Sequence, residues 1–288
     1  MDSDGAGVLR AMTDTADGDA SVSGLDAIKR RQQQAWADGD FSVIASRQIL
    51  VAELLCEAVD IHPGQAVLDV ATGSGNAALS AARRGGRVTG IDFVPALLAR
   101  GEERVRAERL SVTFCEGDAE HLPFDGGAFD VVLSTFGVMF APDQESAARE
   151  LLRVCRPGGK IGLANWTPGG FSGQMFAVNA RYVPPPPGLR PAVSWGTEER
   201  LRELLGAGVA SLSAQRRHAT VRGASEEAWM DGRRKYFGPS RQIFTVLDHA
   251  QRVAYERDLL ALVRRHNRAE DGTVSIPSEY LEVVAVRK

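Results

Sequence analysis

Val67-Leu68-Asp69-Val70-Ala71-Thr72-Gly73-Ser74-Gly75-Asn76 runs from an apolar stretch into paired glycines. Val67 to Val70 reads as a short buried strand, and Ala77 to Arg84 as a helix. Gly73 and Gly75 force a tight turn between them, where backbone amides can approach a ligand because no side chain intervenes. Asp69 lies four residues before Gly73, near the carboxyl end of the strand. Open α/β sheets bind their ligands at that edge. A carboxylate there repels a pyrophosphate and attracts a ligand carrying an ammonium or sulfonium charge.

Outward from this stretch, strand and helix alternate. Strands are expected at Ala66–Val70, Arg87–Asp92, Val112–Glu116, Phe129–Ser134 and Lys160–Ala164. Helices are expected at Ala77–Arg84, Pro95–Glu108 and Gln144–Cys155. Such repeats imply a mostly parallel sheet with helices on both faces. Upstream, helices are expected from Leu25 to Trp36 and from about Ser42 to Val59, with Gly39 between them. Residues 1–23 are rich in Asp, Ser, Thr and Gly and read as a disordered tail. Downstream of Trp166 the pattern changes: Gly169-Gly170, Pro184–Pro187 and Pro191 break regular structure. A helix at Glu198–Leu205 and a strand within Val209–Val221 follow. Three helical segments, about Glu226–Tyr236, Arg241–Leu247 and Ala250–Arg265, precede a closing strand at Tyr280–Val286. The expected domains are therefore a tail (1–23), N-terminal helices covering a cofactor site (24–60), a binding core (61–166), and the remaining sheet with a helical substrate cap (167–288).

With 44% apolar and 25% charged residues, the chain reads as a soluble enzyme of one large domain, or one domain plus a cap. No apolar run is long enough for a membrane span, and no signal peptide is recognisable at the N-terminus. Cys56, Cys115 and Cys155 are few and scattered, which suggests reduced thiols in a cytoplasmic protein. No Cys/His cluster has metal-ligand spacing, so no metal is expected. The net charge of −3 argues against nucleic acid as a partner. It is unevenly spread: residues 1–166 carry 16 basic and 24 acidic side chains (−8), and residues 167–288 carry 18 and 13 (+5). This is either an ordinary solvated helical surface or a cap that attracts an acidic substrate.

Four further motifs follow the glycine turn in order. Asp92, in Val88-Thr-Gly-Ile-Asp92-Phe93, ends the second strand and can accept from two ribose hydroxyls, or cap the following helix. Asp118-Ala119 follows the third strand, placed for an adenine amino group or for a simple Asx turn. Ser134-Thr135-Phe136 ends the fourth strand at the same edge. Phe136, Met139 and Phe140 are either core or the lining of a pocket in which a methyl group moves. Pro157-Gly158-Gly159 reads as a helix stop that launches the next strand.

In this order and spacing the motifs resemble those of the class I S-adenosylmethionine-dependent methyltransferases, especially the ubiquinone/menaquinone-type and small-molecule branch. The resemblance covers about Ala66–Asn165. It implies a Rossmann-like fold of seven strands, mostly parallel, with N-terminal helices and a helical cap inserted before the last strand. It implies S-adenosylmethionine as methyl donor and a small molecule as acceptor, such as a secondary metabolite or a quinone- or phenol-like compound. On this resemblance Asp69 and the Gly73–Gly75 loop hold the methionine moiety, and Ala71, Thr72 and Asn76 are counted with them. Asp92 takes the ribose hydroxyls, Phe93 lies against the adenine, and Asp118 and Ala119 bind the adenine edge. Ser134, Thr135 and Phe136 lie near the sulfonium. Trp36, in Trp36-Ala-Asp-Gly39-Asp-Phe41, belongs either to an element covering the cofactor or to the packing of the first helix.

Displacement at a sulfonium needs positioning more than acid–base help, so no catalytic dyad is expected. His218, His249 and His266 are the candidate bases, with His121 in the adenine loop a surface residue. Tyr182, Tyr236 and Trp229 are candidates to shape the acceptor pocket or are core. Two other readings stand beside this one. Gly73-x-Gly75-x-x-Ala78 with Asp92 also suits an NAD(P)-dependent oxidoreductase, although Asp69 fits it poorly. A non-catalytic S-adenosylmethionine-binding protein would keep the same site. The sequence leaves monomer and homodimer equally open.

Overall fold

The computed structural model describes residues 24–288. The tail expected over 1–23 lies outside the described residues. Seven strands form one sheet in the order β3-β2-β1-β4-β5-β7-β6. They are β1 (Ala66–Val70), β2 (Arg87–Asp92), β3 (Val112–Glu116), β4 (Phe129–Thr135), β5 (Cys155–Trp166), β6 (Val209–Gly223) and β7 (Val274–Arg287). The first five run parallel, and β7 is antiparallel to both β5 and β6. β1 and β4 are central, and their apolar side chains are almost wholly buried, as parallel strands covered on two faces must be.

The N-terminal region forms α1 (24–37), α2 (Phe41–Ala45) and α3 (Ile49–Val59). The single helix expected from Ser42 to Val59 is broken by a 3-10 turn at Ser46–Gln48. Asn76 Nδ2 donates to the Ala45 carbonyl at 2.8 Å, so the break ties this segment to the glycine turn. Between strands lie α4 (Asn76–Arg83), α5 (Pro95–Glu108) and α6 (Gln144–Val154). The Pro157-Gly158-Gly159 turn sits inside β5 rather than before it. Cys155 is opposite Phe129 and Lys160 is opposite Val131, so residues 156–159 bulge out of an otherwise continuous strand.

α7 (Phe171–Tyr182) lies between the expected breaks at Gly169-Gly170 and Pro184–Pro187. Gly170 ends the break, and Phe171, Met175 and Val178 then bury one helical face at i, i+4 and i+7 spacing. α8 (Glu198–Leu205) follows. β7 begins at Val274, earlier than the expected Tyr280, and pairs with β6 along its whole length. β5 reaches only as far as Tyr280, so the β6–β7 ribbon projects beyond the sheet. At its far end it carries α9 (Glu226–Tyr236), α10 (Gly238–Val246) and α11 (His249–His266). These helices share a second apolar core with α7, built around Phe171, Met175, Trp229, Tyr255 and Leu259. Among the described residues no helix is long and apolar enough to cross a membrane.

Candidate active site

The carboxyl ends of β1, β2 and β4 and the loop after β3 meet beneath α1. They line a cleft of about 1040 Å³, a volume that includes space open to solvent. Asp69, Ala71, Thr72, Gly73, Asn76, Asp92, Phe93, Asp118, Ala119, Thr135, Phe136 and Trp36 all line it. Gly75 and Ser134 do not. Gly75 has φ +84°, and a Cβ there would stand 2.8 Å from Leu79 Cδ1 and 3.0 Å from Phe114 Cζ. It serves helix-to-sheet packing. Ser134 is fully buried. Its hydroxyl donates to the Val70 carbonyl at 2.7 Å and accepts from Val138 N at 2.9 Å, bridging β1 to the turn after β4.

The acidic residues differ in their engagement. Asp69 Oδ2 accepts from Thr72 Oγ1 at 2.6 Å and Ala78 N at 2.9 Å. Burial pushes its carboxyl up to about 7, against the pull of these two donors, and the nearby Asp92 adds to the rise. Asp92 accepts from Gly73 N at 2.8 Å and Val94 N at 2.9 Å, and burial raises it to about 6. Gly73 (φ +56°) has no atom within 4 Å of where a Cβ would stand, so its backbone is open to the cavity. Ala71 (φ 54°) and Phe136 (φ 57°) take the left-handed conformation without being glycine. Both sit where adjacent strands end, and backbone strain of this kind concentrates at functional sites. The Thr135 hydroxyl is buried there without a hydrogen-bond partner among the described residues.

α1 closes the cavity with a face that sequence reasoning did not single out. Lys29 and Gln32 follow Trp36 backward at i−7 and i−4 spacing, and all three line the cavity. Lys29 Nζ lies 2.7 Å from Asp118 Oδ2 and 2.5 Å from Glu120 Oε2. Burial lowers the affinity of this amine for its proton, and the two carboxylates more than restore it. Glu120 is itself buried and accepts from Asp143 N at 2.8 Å. Asp118, Glu120 and His121 place ligand atoms within 4.8 Å of one another, but the Lys29 ammonium already bonds the two carboxylates. Gln32 donates to the Phe140 carbonyl at 3.2 Å, and Gln33 donates to that of Phe93. Trp36 packs edge-on against Phe41, Phe140 and Phe237, at ring-centroid distances of 5.1, 5.2 and 5.7 Å. The available signal was the helical spacing of Lys29, Gln32 and Trp36 on one face.

A second cavity of about 890 Å³ adjoins the first. Trp36, Phe41, Gln48, Phe136 and Phe140 line both. Its remaining wall includes Trp166, Phe171, Phe176, Trp229 and Phe237. Phe136 stacks on Trp166 at 3.8 Å with parallel planes, which fixes the partition. Trp229 is thus at this site, whereas Tyr182 and Tyr236 are not. No histidine lines either cavity. His121, His218 and His249 are exposed, and His266 packs against Phe171 with its proton affinity lowered by burial.

Comparison with known proteins agrees with this architecture. A methyltransferase domain family model matches residues 68–163. An uncharacterized protein of Mycobacterium tuberculosis, Rv1405c, is 38% identical over 256 residues, spanning 88% of this chain and 93% of that one. The demethylmenaquinone methyltransferase of Thermus thermophilus is 38% identical over 161 residues, 50% of this chain and 73% of that one. The YcgJ protein of Bacillus subtilis shares the fold, with a TM-score of 0.58 at 16% identity over 82% of this chain and 97% of that one. The chain belongs to the class I S-adenosylmethionine-dependent methyltransferases.

Proposed function

We propose that the protein moves a methyl group from S-adenosylmethionine in the first cavity to a small organic acceptor in the second. The observation that carries this reading is the shared wall. An acid-lined chamber at the sheet edge meets an aromatic chamber under the cap, with Trp36, Phe41, Phe136 and Phe140 between them. The donor's sulfonium makes its methyl carbon open to displacement. What the chain supplies is placement, charge and exclusion of water.

The residues fit that donor. Asp69 Oδ1 has no hydrogen-bond partner among the described residues and suits the amino group of the methionine part. Gly73 lets the chain approach closely, and Asp92 is placed to accept from the ribose hydroxyls. Phe93 and Ala119 flank the adenine, with Asp118 held at its edge by Lys29. Aromatic faces at Phe136 and Phe140 suit the sulfonium. A pyrophosphate at the glycine turn would meet the Asp69 carboxylate, which disfavours a nicotinamide cofactor. An acceptor of quinone or phenol type suits the aromatic walls of the second chamber.

Isothermal titration of S-adenosylmethionine into wild type and Asp92→Ala tests the assignment. The variant is expected to bind at least about tenfold more weakly, since it loses charge-assisted hydrogen bonds. An unchanged dissociation constant, or tighter binding of NAD than of S-adenosylmethionine in equilibrium dialysis, would overturn it.

A further inference from the structure

The second cavity contains a cation with no counter-ion among the described residues. Arg233 on α9 is 8% exposed and lines this cavity. Its guanidinium makes one hydrogen bond among the described residues, from Nη2 to Ser240 Oγ at 3.1 Å. Its Nε is buried without an acceptor. The guanidinium lies over the rings of Phe237 (4.3 Å) and Trp229 (5.3 Å), which hold its plane but satisfy none of its N–H groups. Burial drags its ionisation down to about 10, and no carboxylate among the described residues counters this. At neutral pH it is still charged.

An unpaired buried charge is strongly disfavoured unless something pairs with it. Arg200, the other buried arginine among the described residues, pairs with Glu145 and Glu203, and the half-buried Lys29 pairs with Asp118 and Glu120. Arg233 faces a cavity instead. No Asp or Glu among the described residues lines that cavity, and the exposed Arg47 and Arg222 line it too. The first cavity has the opposite character, with Asp69, Asp92, Asp118 and Glu120 against one lysine.

We propose that the acceptor is a flat, largely apolar organic anion, held between the aromatic walls of the second cavity with its anionic oxygens on the Arg233 guanidinium. This rests on the reading of the second cavity as the acceptor chamber. The five N–H donors of a guanidinium suit a carboxylate or an enolate–carbonyl pair in bidentate fashion. Ser240 and the two aromatic faces fix the fork, so the anion sets the orientation in which the rest of the molecule meets the partition. The cationic donor and the anionic acceptor thereby occupy chambers of matching opposite charge.

The test uses 2-naphthoate and its neutral isostere 2-naphthamide, titrated into the full chain with and without S-adenosylhomocysteine. Wild type should bind the naphthoate about tenfold more tightly than the amide, or better. Arg233→Met should erase that preference while its affinity for S-adenosylhomocysteine stays at the wild-type value, which also reports that the chain is folded. Arg233→Lys, which keeps the charge but loses the fork, should retain part of the preference. Equal binding of the two probes by wild type, no binding of the naphthoate at millimolar concentration, or a preference that survives in Arg233→Met would overturn the proposal. Failure of S-adenosylhomocysteine to bind wild type would instead refute the donor chamber, since the probe preference is read without it as well.

Discussion

Replacing Asp69 with asparagine should stabilise the ligand-free protein at neutral pH, although Asp69 lines the first cavity. Folding moves this carboxyl from its ordinary value of 3.8 to about 7, chiefly through burial. Between those values the folded chain holds a proton that the unfolded chain has released. Stability therefore falls as pH rises from about 4 to about 7, and the loss is complete once both states are ionised. A difference of about 3 in pKa, at about 1.36 kcal/mol each, is roughly 4 kcal/mol. The introduced carboxamide does not titrate, and its oxygen can still accept from Thr72 Oγ1 and Ala78 N. Urea unfolding of ligand-free wild type and Asp69→Asn across pH 4 to 8 measures the effect. The variant's advantage should grow by about 4 kcal/mol over that span, with equal m-values. Asp92 titrates in both proteins, so its own contribution largely cancels in the comparison. A difference that stays flat with pH would refute the argument, because it would mean that the folded site holds the Asp69 charge as easily as water does.

Gly75→Ala should lower the unfolding free energy in urea by about 2 kcal/mol or more, since it adds left-handed strain to a clash with Leu79. Gly73→Ala meets no neighbour and should lose only about 1 kcal/mol in stability, so a ranking reversed in unfolding experiments would contradict the packing described. Lys29→Met strands the buried Glu120 and removes the tie between α1 and the loop after β3. Amide exchange across residues 24–37 should quicken by an amount corresponding to about 2 kcal/mol or more, and unchanged protection would show that the aromatic contacts of Trp36 hold the helix alone.

What the sequence revealed of this site was what is local. Asp69, Gly73, Asp92 and Asp118 each end a strand or begin a turn, and the strand–turn–helix pattern alone carries them to one edge. Ser134 was misplaced because strand alternation specifies a face but not a bonding partner. Its hydroxyl is taken up by Val70 O and Val138 N, which lie on either side of it in space. The pairing of Lys29 with Glu120 joins residues far apart in the chain and has no local signature, so only the helical spacing of Lys29, Gln32 and Trp36 pointed to it. α7 was hidden by the flanking glycines and prolines, which mark its ends rather than its absence. The early start of β7 was masked by Pro277. That residue pairs with Thr220 where β7 has β6 as its partner and β5 no longer reaches, and sheet edges of this kind tolerate proline. Arg233 looked like any basic residue of a helix face until the cap placed it among aromatic rings.

The helix α1 is fastened on two sides. Lys29 binds it to the loop after β3, while Asp38, just past its end, accepts from Arg241 Nε at 2.8 Å and Gln242 Nε2 at 3.2 Å on the cap. Trp36, between these ties, belongs to the walls of both chambers. One segment therefore walls two chambers, and a substitution at Trp36 changes the shape of both at once.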